Sequence, residues 1–222
     1  MKRLADDLYQ LRGFPPNAIN AYLAGEVLID AATRQAERRI LRQLHGHRVG
    51  AHALTHVHPD HQGASHAVCQ RLSIPLWCGE RDVAAMETPG HVVAEKAPQW
   101  LRSFEEQWWV GPPHLVDRVL HEGDEVAGFE VLDTPGHTIG HVSFWRGSDR
   151  VLIAGDVLNN MNLATAIPGL REPPEIFCAD VARNRESIRK LAALGPALVC
   201  FGHGPPLRDG AKLTRLAENL PD

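Results

Sequence analysis

The sequence predicts an α/β (α+β) protein in which two β-sheets pack face to face and helices cover the outside. Three observations support this class. A β-rich stretch is followed by alternating strands and helices, and this order then occurs a second time along the chain. The predicted strands are short and apolar, and apolar residues lie on one side of the predicted helices. The length of 222 residues is ample for one large core, so we predict a single domain over residues 1–222.

The predicted elements follow from apolar runs separated by turn residues. Gly13, Pro15-Pro16 and Ala24-Gly25 interrupt the opening strands. Two stretches that contain Pro-Gly and Pro-Pro pairs, 88–113 and 159–177, are predicted to be irregular. Strands are predicted at 7–12, 18–24, 26–29, 51–55, 75–78, 115–120, 124–127, 129–133, 142–145, 151–154 and 197–201, and helices at 33–44, 62–72, 80–87, 180–194 and 209–220.

Composition argues against several function classes. The formal net charge of -4 disfavours a nucleic-acid-binding surface, which is normally basic. No apolar run is long enough to span a bilayer, so no membrane association is predicted. The start, residues 1–7, turns acidic after two basic residues and lacks the apolar region of a secretory signal. We therefore predict a cytoplasmic protein.

Two sets of residues are predicted to have no part in the chemistry. The cysteines lack Cys-x-x-Cys spacing and, in a reducing compartment, are expected to be buried thiols. They are Cys69, Cys78, Cys178 and Cys200. Among the 13 histidines, those without ligand spacing are expected on the surface or in turns. They are His45, His47, His52, His66, His91, His114 and His121.

Residues 55–61 carry the strongest chemical signal. Their candidate metal ligands are His56, His58, Asp60 and His61. Alternate side chains at a strand end point to one face, so the first two histidines can converge on one point. Pro59 then turns the chain, and the last two ligands arrive from another direction. Neutral imidazole and carboxylate are ligands that zinc and neighbouring divalent metals prefer.

Three later apolar strands each end in a glycine turn that carries a further candidate ligand. These ligands are His137 after Gly136, Asp156 after Gly155, and His203 after Gly202. Glycine beside a ligand lets the backbone take positive φ and approach a buried site closely. Each signal alone is weak, because a Gly-His or Gly-Asp pair after a strand is more often only a turn. Together with residues 55–61 they supply the ligands that two adjacent metal ions need.

We therefore predict two divalent metal ions, with zinc favoured and iron or manganese as alternatives. The predicted division places His56, His58 and His137 on one ion, and Asp60, His61 and His203 on the other. Asp156 is expected to bridge them, because a shared anion screens the repulsion of two cations about 3.5–4 Å apart. The ions would lower the pKa of bound water toward ~7, so a bridging hydroxide could attack a carbonyl or phosphoryl centre.

Two residues are predicted to act in catalysis. Asp60 would orient the attacking hydroxide as well as hold the second ion. His141 would support a metal ligand or protonate the leaving group, and the alternative, which the sequence favours, is a buried turn histidine bonded to backbone. No serine or cysteine nucleophile is evident, so a covalent intermediate is not expected.

These motifs, in this order, resemble those of the metallo-β-lactamase-fold hydrolases. They are Thr-His-x-His-x-Asp-His, Thr-Pro-Gly-His-Thr, Gly-Asp at a strand end, and Gly-His-Gly. The resemblance covers nearly the whole chain and implies a four-layer αββα sandwich, the metallo-β-lactamase fold, with the metal site at one edge. It implies the same metal ligands as above. Asp30, which closes an early strand, is expected to support the site without being a ligand.

Asp156 indicates a branch of this family, since β-lactamases of the fold usually have Cys at the matching position. The pattern looks like the branch of glyoxalase II-like hydroxyacylglutathione thioesterases, lactonases, phosphodiesterases and persulfide dioxygenases. Its thioesterases add a helical C-terminal domain that holds glutathione, and the sequence ends soon after His203, so we do not expect that region here. The resemblance implies a metallohydrolase that cleaves a small ester, thioester, lactone or related bond in a small-molecule substrate.

Three alternative functions stay open. One is a persulfide-dioxygenase-like oxidoreductase with one iron held by His56, His58 (or His137) and a carboxylate, because two histidines and a carboxylate form the oxygenase site. A second is a β-lactamase or a phosphodiesterase. A third is a metal-stabilised interaction module without turnover. The identity and number of the bound ions would separate these alternatives.

Substrate contacts are predicted in the two irregular stretches, because loops on a rigid scaffold usually determine specificity. In the first stretch the aromatic residues are expected to line a pocket or, given the helical spacing of the first three, to pack on the core or on a second copy in a homodimer. They are Trp100, Phe104, Trp108 and Trp109. In the second stretch, Asn159, Asn160 and Met161 are expected near the metals.

Overall fold

The computed structural model describes residues 1–88, 92–94 and 96–221. Within these residues the strands form a 7-stranded sheet, a 5-stranded sheet and a 2-stranded hairpin. The predicted class is confirmed, because helices pack on the outer faces of the two large sheets. In the described parts of the chain no helix is long and apolar enough to cross a membrane. That residues 1–222 form a single domain stays a prediction.

The first sheet contains its strands in chain order, β1 to β7. They are β1 Lys2–Ala5, β2 Leu8–Gln10, β3 Tyr22–Ala24, β4 Val27–Ile29, β5 Ala51–Ala53, β6 Leu76–Gly79 and β7 Arg118–Leu120. Strands β1 to β4 pair antiparallel, whereas β4 to β7 pair parallel. The sequence does not predict β1, because Lys2 and Arg3 are charged and exposed and only Leu4 in this strand is buried.

The second sheet has the strand order β14-β11-β10-β9-β8. Its strands are β8 Glu125–Val126, β9 Phe129–Asp133, β10 Val142–Arg146, β11 Val151–Gly155 and β14 Leu198–Phe201. Strands β11 and β14 run parallel, with Gly155 paired with Phe201. Since parallel strands end at the same edge of a sheet, the residues that follow them, Asp156 and His203, lie side by side.

The faces of the two sheets share one apolar core. Tyr22, Ile29 and Leu120 from the first sheet are buried against Phe129 and Phe144 from the second. Truncation of a buried phenylalanine typically costs about 3–5 kcal/mol, so this layer contributes strongly to stability. All four cysteines are buried and free, as predicted.

The helices form the two outer layers. They are α1 Glu37–Leu44, α2 Pro59–Gln62, α3 Ser65–Leu72, α4 Val83–Glu87, α5 Gln99–Trp108, α6 Val181–Ala193 and α7 Gly210–Glu218. Short 3-10 segments lie at Arg34–Ala36, Glu80–Asp82 and Glu175–Phe177. The predicted helix at 62–72 is divided between the last residue of α2 and the whole of α3, because Ala64 (φ -94°, ψ 1°) leaves the helical conformation.

Both stretches predicted to be irregular contain regular structure. Residues 88–113 include α5. Pro98 is compatible with this helix, because it stands just before the first turn, where its missing N–H is not needed. Pro89 and Gly90, predicted as part of the irregular segment, lie outside the described residues. Residues 159–177 contain the antiparallel hairpin of β12 Asn159–Met161 and β13 Pro168–Arg171. Because turn residues interrupt this stretch, the sequence does not predict its short strands.

Candidate metal centre

The turn between β5 and α2 presents the histidine stretch in two directions. His56 and His58 extend from the strand end, and Pro59 occupies the first position of α2. Asp60 and His61 therefore project from the first turn of that helix. The ring centroids of His56 and His58 are 4.8 Å apart, and those of His56 and His61 are 4.1 Å apart. One short segment thus brings several donors to one place.

The first donor group consists of His56, His58 and His137. Their donor atoms all lie within 4.8 Å of one another. His58 Nδ1 and His137 Nε2 are only 2.9 Å apart. His137 comes from the turn after β9, so the two sheets each contribute to this group.

The second donor group consists of Asp60, His61 and His203, whose donor atoms also lie within 4.8 Å of one another. His203 Nε2 is 3.2 Å from Asp60 Oδ2. The candidate ligands predicted from the sequence are therefore brought together as two neighbouring groups. A third, overlapping group joins His56, His61 and Asp156.

Asp156 lies between the two groups. Its Oδ2 atom is 2.9 Å from His203 Nε2 and 3.7 Å from His137 Nε2. Its Oδ1 atom is 3.6 Å from His61 Nε2. One carboxylate thus faces donors of both groups, which is the arrangement that the predicted bridging role requires. The assignment of each residue to a particular ion stays a prediction.

Buried atoms without hydrogen bonds test whether these residues fit metal ions. His56 Nε2, His61 Nε2 and Asp156 Oδ1 are buried and have no hydrogen-bond partner among the described residues. Leaving such an atom unsatisfied costs about 1–3 kcal/mol. The three atoms belong to one cluster of imidazoles and a carboxylate, the donor types that divalent transition metals bind. The residues present therefore fit a metal centre.

The pKa values of the first group favour neutral rings. Burial lowers the pKa of His58 to about 4, and burial together with the neighbouring histidines lowers the pKa of His56 and His137 well below the ordinary value. A neutral imidazole has a lone pair free to bind a cation. These three side chains are therefore in the protonation state that metal binding requires.

The second group behaves in the opposite way. Burial disfavours the charged ring of His203, but the carboxylates of Asp156 and Asp60 raise its pKa to about 10. Burial likewise opposes charge on His61, yet Asp156 and Asp30 raise the pKa of that ring. Without metal, protons on these rings balance the buried carboxylates. Metal ions would take over that positive charge.

Hydrogen bonds on the far side of two rings fix their orientation. His61 Nδ1 donates to Asp30 Oδ2 over 2.9 Å, and Asp30 Oδ1 accepts from the backbone N–H of Thr55 over 2.8 Å. His203 Nδ1 donates to the carbonyl oxygen of Ala18. The Nε2 atom of each ring is thus directed to the cluster, as metal-binding histidines require. Asp30 supports the site without entering it, in agreement with its predicted role.

Comparison with known proteins identifies the family. The family model of the metallo-beta-lactamase superfamily matches residues 14–203, which include all the candidate ligands. The chain belongs to the metallo-beta-lactamase superfamily. The resemblance seen in the sequence and the predicted fold are thereby confirmed. Membership of this superfamily agrees with the His/Asp cluster, whose donor groups could hold metal ions.

Three relatives illustrate the position of this chain in the superfamily. It is 30% identical to "Probable metallo-hydrolase YflN" of Bacillus subtilis (strain 168), covering 87% of this chain and 82% of the relative. The structure of TTHA1623 in a di-iron-bound form has 30% identity and a TM-score of 0.69, covering 90% of this chain and 94% of that chain. Hydroxyacylglutathione hydrolase GloC of Haemophilus influenzae is 31% identical, but the match covers 47% of this chain and only 48% of that relative.

His141 is buried beside the candidate metal ligands and does not lie in an open cavity. Its Nε2 accepts a hydrogen bond from the backbone N–H of Asp156 over 3.1 Å, so the proton is on Nδ1, which donates to Thr134 Oγ1 over 2.9 Å. A Cβ at Gly155 (φ 56°) would lie 2.5 Å from His141 Nε2, so glycine permits this approach. This geometry favours the alternative of a buried, backbone-bonded histidine. The catalytic role of His141 stays a prediction.

Asp82 supports the site and was not singled out from the sequence. It is buried, and its Oδ2 accepts from the backbone N–H of Val57 over 3.0 Å and from Thr138 Oγ1 over 2.8 Å. Its Oδ1 accepts from the N–H of Gly140 over 2.9 Å. Asp82 thus joins the histidine stretch to the turn that carries His137. A sequence signal is lacking, because its partners are far apart along the chain.

Two cavities open beside the metal centre. The α5 cavity has a volume of about 420 Å³ and is lined by Asp60, Asp156 and His203 together with apolar residues. The α4 cavity, of about 430 Å³, is lined by residues of α4, by Asp82 and by Cys178. His58 and His137 line both cavities. A substrate can therefore reach the candidate ligands from either side.

The aromatic residues of α5 do not pack in the core. Trp100 is 72% exposed, Phe104 43% and Trp108 49%, so the prediction of a core-facing stripe is wrong. The helix instead places Leu101 and Trp109 on the wall of the α5 cavity, which confirms a pocket position for Trp109 alone. That the exposed face contacts a second copy in a homodimer stays a prediction.

The remaining residues divide as follows. Asn159 lines the α5 cavity, whereas Asn160 donates to the carbonyl oxygen of Pro205 and Met161 is buried in β12.

His52 is fully buried between Ala51 and Ala53, so its predicted surface position is wrong. Strand β5 pairs with strands on both sides and leaves no face open to solvent. His45, His47 and His121 are exposed, His66 and His114 are half-buried, and His91 lies outside the described residues.

Proposed function

We propose that this chain is a metal-dependent hydrolase that uses two divalent ions to cleave a small ester, thioester, lactone or related bond. The observation that carries the proposal is the position of Asp156, whose two carboxylate oxygens face donors of both groups. The unsatisfied atoms on His56, His61 and Asp156 support it. We also propose that the substrate is a small molecule rather than nucleic acid or membrane.

Each candidate ligand has a place in this proposal. His56, His58 and His137 would hold one ion, Asp60, His61 and His203 the other, and Asp156 both. When bound, the ions supply a hydroxide at neutral pH and polarise the bond that is cleaved. Asp60, at the wall of the α5 cavity, would orient the attacking water through its carboxylate. Asp30, Asp82 and the ring of His141 would hold the ligands in position.

None of the described residues offers a better nucleophile at this site. Cys178 lines the α4 cavity, and its Sγ is 3.9 Å from His137 Nδ1. Burial raises the pKa of this thiol to about 12, so it is protonated at neutral pH. A thiol in this state is a poor nucleophile. Direct attack by water, without a covalent intermediate, is therefore the reaction that these residues support.

Zinc is the proposed metal, with iron or manganese as alternatives. Imidazole suits zinc and iron, and carboxylate oxygens suit manganese. The related TTHA1623 was solved in a di-iron-bound form, which supports two neighbouring ions in a site of this type. The hydroxyacylglutathione hydrolases in the superfamily support thioester cleavage, but this chain matches only 48% of GloC. Glutathione is therefore not proposed as part of the substrate.

The experiment that tests the proposal combines metal content and turnover. Protein purified without added metal should contain two ions per chain by elemental analysis and should hydrolyse a thioester or lactone from a generic panel. His58→Ala or Asp156→Ala should remove bound metal and activity together while the circular dichroism spectrum is kept. The exposed His121→Ala is the matched control and should change neither. Unchanged activity in Asp156→Ala would contradict the proposal.

The same measurement separates the alternative functions. A persulfide-dioxygenase-like oxidoreductase would contain one iron per chain and consume oxygen with a persulfide substrate. A β-lactamase or a phosphodiesterase would keep two ions but prefer a lactam or a phosphodiester in the panel. An interaction module would bind metal without turnover of any of these compounds.

A further inference from the structure

Glu105 is a buried carboxyl in the wall of the α5 cavity. Its residue is 7% exposed, and it lines the same cavity as Asp60, Asp156 and His203. It does not belong to any group of candidate metal ligands in the described residues. Its chemistry is therefore separate from metal binding, although it faces the same space.

The orientation of α5 directs Glu105 inward. Residues four apart on a helix lie on the same face, and Leu101 and Glu105 both line the cavity. The exposed residues Trp100, Phe104 and Trp108 form a neighbouring stripe on the solvent side of the helix. The helix thus presents one acidic side chain to a cavity wall that is otherwise apolar at Leu101, Trp109 and Phe177.

The fold provides no partner for this carboxyl. Its side chain makes no hydrogen bond or ion pair with any described residue, and Arg102, one turn earlier, does not pair with it. No lysine or arginine is among the described residues that line the cavity. Burial and the nearby charge of Asp60 raise the pKa of Glu105 to about 7. Neither carboxylate oxygen of Glu105 is among the fully buried atoms without a hydrogen bond, so the group reaches the cavity, where a cation could pair with it.

We propose that Glu105 binds a cationic group, an ammonium or guanidinium, of a substrate whose apolar body packs on Leu101 and Trp109. The scissile bond would then lie at the metal centre, whose candidate ligands line the same cavity. This inference rests on the proposed hydrolase function and names the substrate class for that site. An anionic substrate group is disfavoured at this wall, because Glu105 and Asp60 both carry acidic groups there.

A binding experiment with matched probes tests the charge preference directly. Phenylbutylguanidinium carries a fixed positive charge, and phenylbutylurea is its neutral counterpart of the same shape. Calorimetric titration of the metal-loaded protein should show about 10-fold or more tighter binding of the guanidinium, as expected for a charged hydrogen bond. Glu105→Gln should abolish this preference. Glu106→Gln, which alters the exposed neighbouring acid, should keep it.

Two outcomes of this titration would overturn the inference: equal binding of the two probes by the unaltered protein, or the same preference in Glu105→Gln. A turnover experiment separates this from failure of the hydrolase proposal. Phenyl esters of a guanidino acid and of the matching ureido acid are compared. If neither ester, nor any compound of the generic panel, is cleaved, the hydrolase proposal fails. Cleavage of both at equal kcat/KM leaves hydrolysis standing and rejects only the role of Glu105.

Discussion

Asp30 Oδ2 accepts a hydrogen bond from His61 Nδ1 over 2.9 Å, and neither side chain is exposed to solvent by more than 1%. The same carboxylate accepts the backbone N–H of Thr55 at the start of the histidine stretch. Asp30 takes positive φ, 59°, a conformation that Asp adopts more readily than most residues. The end of β4 is thus shaped to hold one candidate ligand from behind. A substitution of Asp30 can therefore test the metal centre without altering a candidate ligand.

Replacement of Asp30 by alanine should weaken metal binding without removing a ligand. The His61 ring would lose the partner that fixes its orientation. Mutation of such a supporting residue typically lowers metal affinity or activity by roughly 10–100-fold. Competition with a fluorescent zinc chelator measures this change. Asp30→Asn keeps one acceptor oxygen and should lose less. Equal metal affinity in Asp30→Ala and the unaltered protein would show that the bond has no such role.

His141 offers a test of positioning against proton donation. If it only holds Asp156 through the backbone N–H, His141→Gln, whose amide oxygen can accept that bond, should keep much of kcat and leave its pH profile unchanged. His141→Ala should lower metal affinity and kcat together. If His141 protonates the leaving group, both variants should lose kcat by about 10²–10⁴-fold, most of all with poor leaving groups. Steady-state kinetics with esters of graded leaving groups decide between them.

The sequence is enough to single out the residues that the fold brings together, because each lies in a local pattern. His56 to His61 follow a strand, and His137, Asp156 and His203 each follow a glycine. Their convergence also follows from simple pairing, since β11 and β14 end side by side. Those features require only neighbours in sequence and the rule that parallel strands share an edge.

Asp82 and α5 show where sequence patterns fail. The partners of Asp82, Val57 and Gly140, are distant in sequence, so nothing local distinguishes it from an exposed acid. The aromatic spacing of α5 indicates a helix with a buried face, yet the residues of that stripe are exposed and the small inward set contains Glu105. Hydrophobicity predicts which residues tend to be buried, but it does not determine which side of a surface helix meets a cavity.

Asp82→Ala should destabilise the protein and loosen the site at once. Val57, Thr138 and Gly140 would lose the acceptor of their hydrogen bonds, and one buried unsatisfied donor costs about 1–3 kcal/mol, so we expect a loss of roughly 2–4 kcal/mol. Urea unfolding measures the free energy of unfolding. The exposed neighbour Glu80→Ala should change it by less than about 0.5 kcal/mol. A small loss in Asp82→Ala would mean that water replaces the carboxylate.

His52 should make stability depend on pH on the acidic side. Its Nδ1 donates to the carbonyl oxygen of Leu28, its Nε2 accepts from Ser65, and burial lowers its pKa to about 4. The unfolded ring has a pKa of about 6.5, so the fold prefers the neutral ring. The contribution of neutral His52 to the free energy of unfolding is therefore complete above about pH 6.5. This contribution, roughly 3 kcal/mol at most, is lost as the pH falls toward about 4.

The measurement is the free energy of unfolding from pH 7 to pH 4, roughly, in metal-free protein. His52→Gln should have a shallower decrease than the unaltered protein. The exposed His121→Gln should follow the unaltered curve. The buried His58 and His141, whose pKa values are also lowered, to about 4 and about 3, should leave some decrease in every variant. Identical curves for His52→Gln and the unaltered protein would contradict the assignment.

Metal binding should release protons, because the second donor group is protonated without metal. Asp156 and Asp60 raise the pKa of His203 to about 10, and Asp156 and Asp30 raise that of His61, both against the effect of burial. Each ring must lose its proton before Nε2 can bind a cation, so we expect about two protons released per chain near neutral pH. In the metal-free protein, the His203 contribution to stability is complete below about pH 6.5 and lost as pH rises toward 10, roughly. Titration of zinc in buffers of different ionisation enthalpy counts the protons.

The variants make this count specific to the rings. His203→Ala should release about one proton fewer, and the exposed His121→Ala should release the same number as the unaltered protein. Bound metal should also stabilise the fold, by about 2.7 kcal/mol at a hundredfold excess over Kd, roughly, and a chelator should reverse this. Zinc binding without proton release would mean that the ion binds away from His61 and His203. The two-group arrangement around Asp156 would then not be the metal centre.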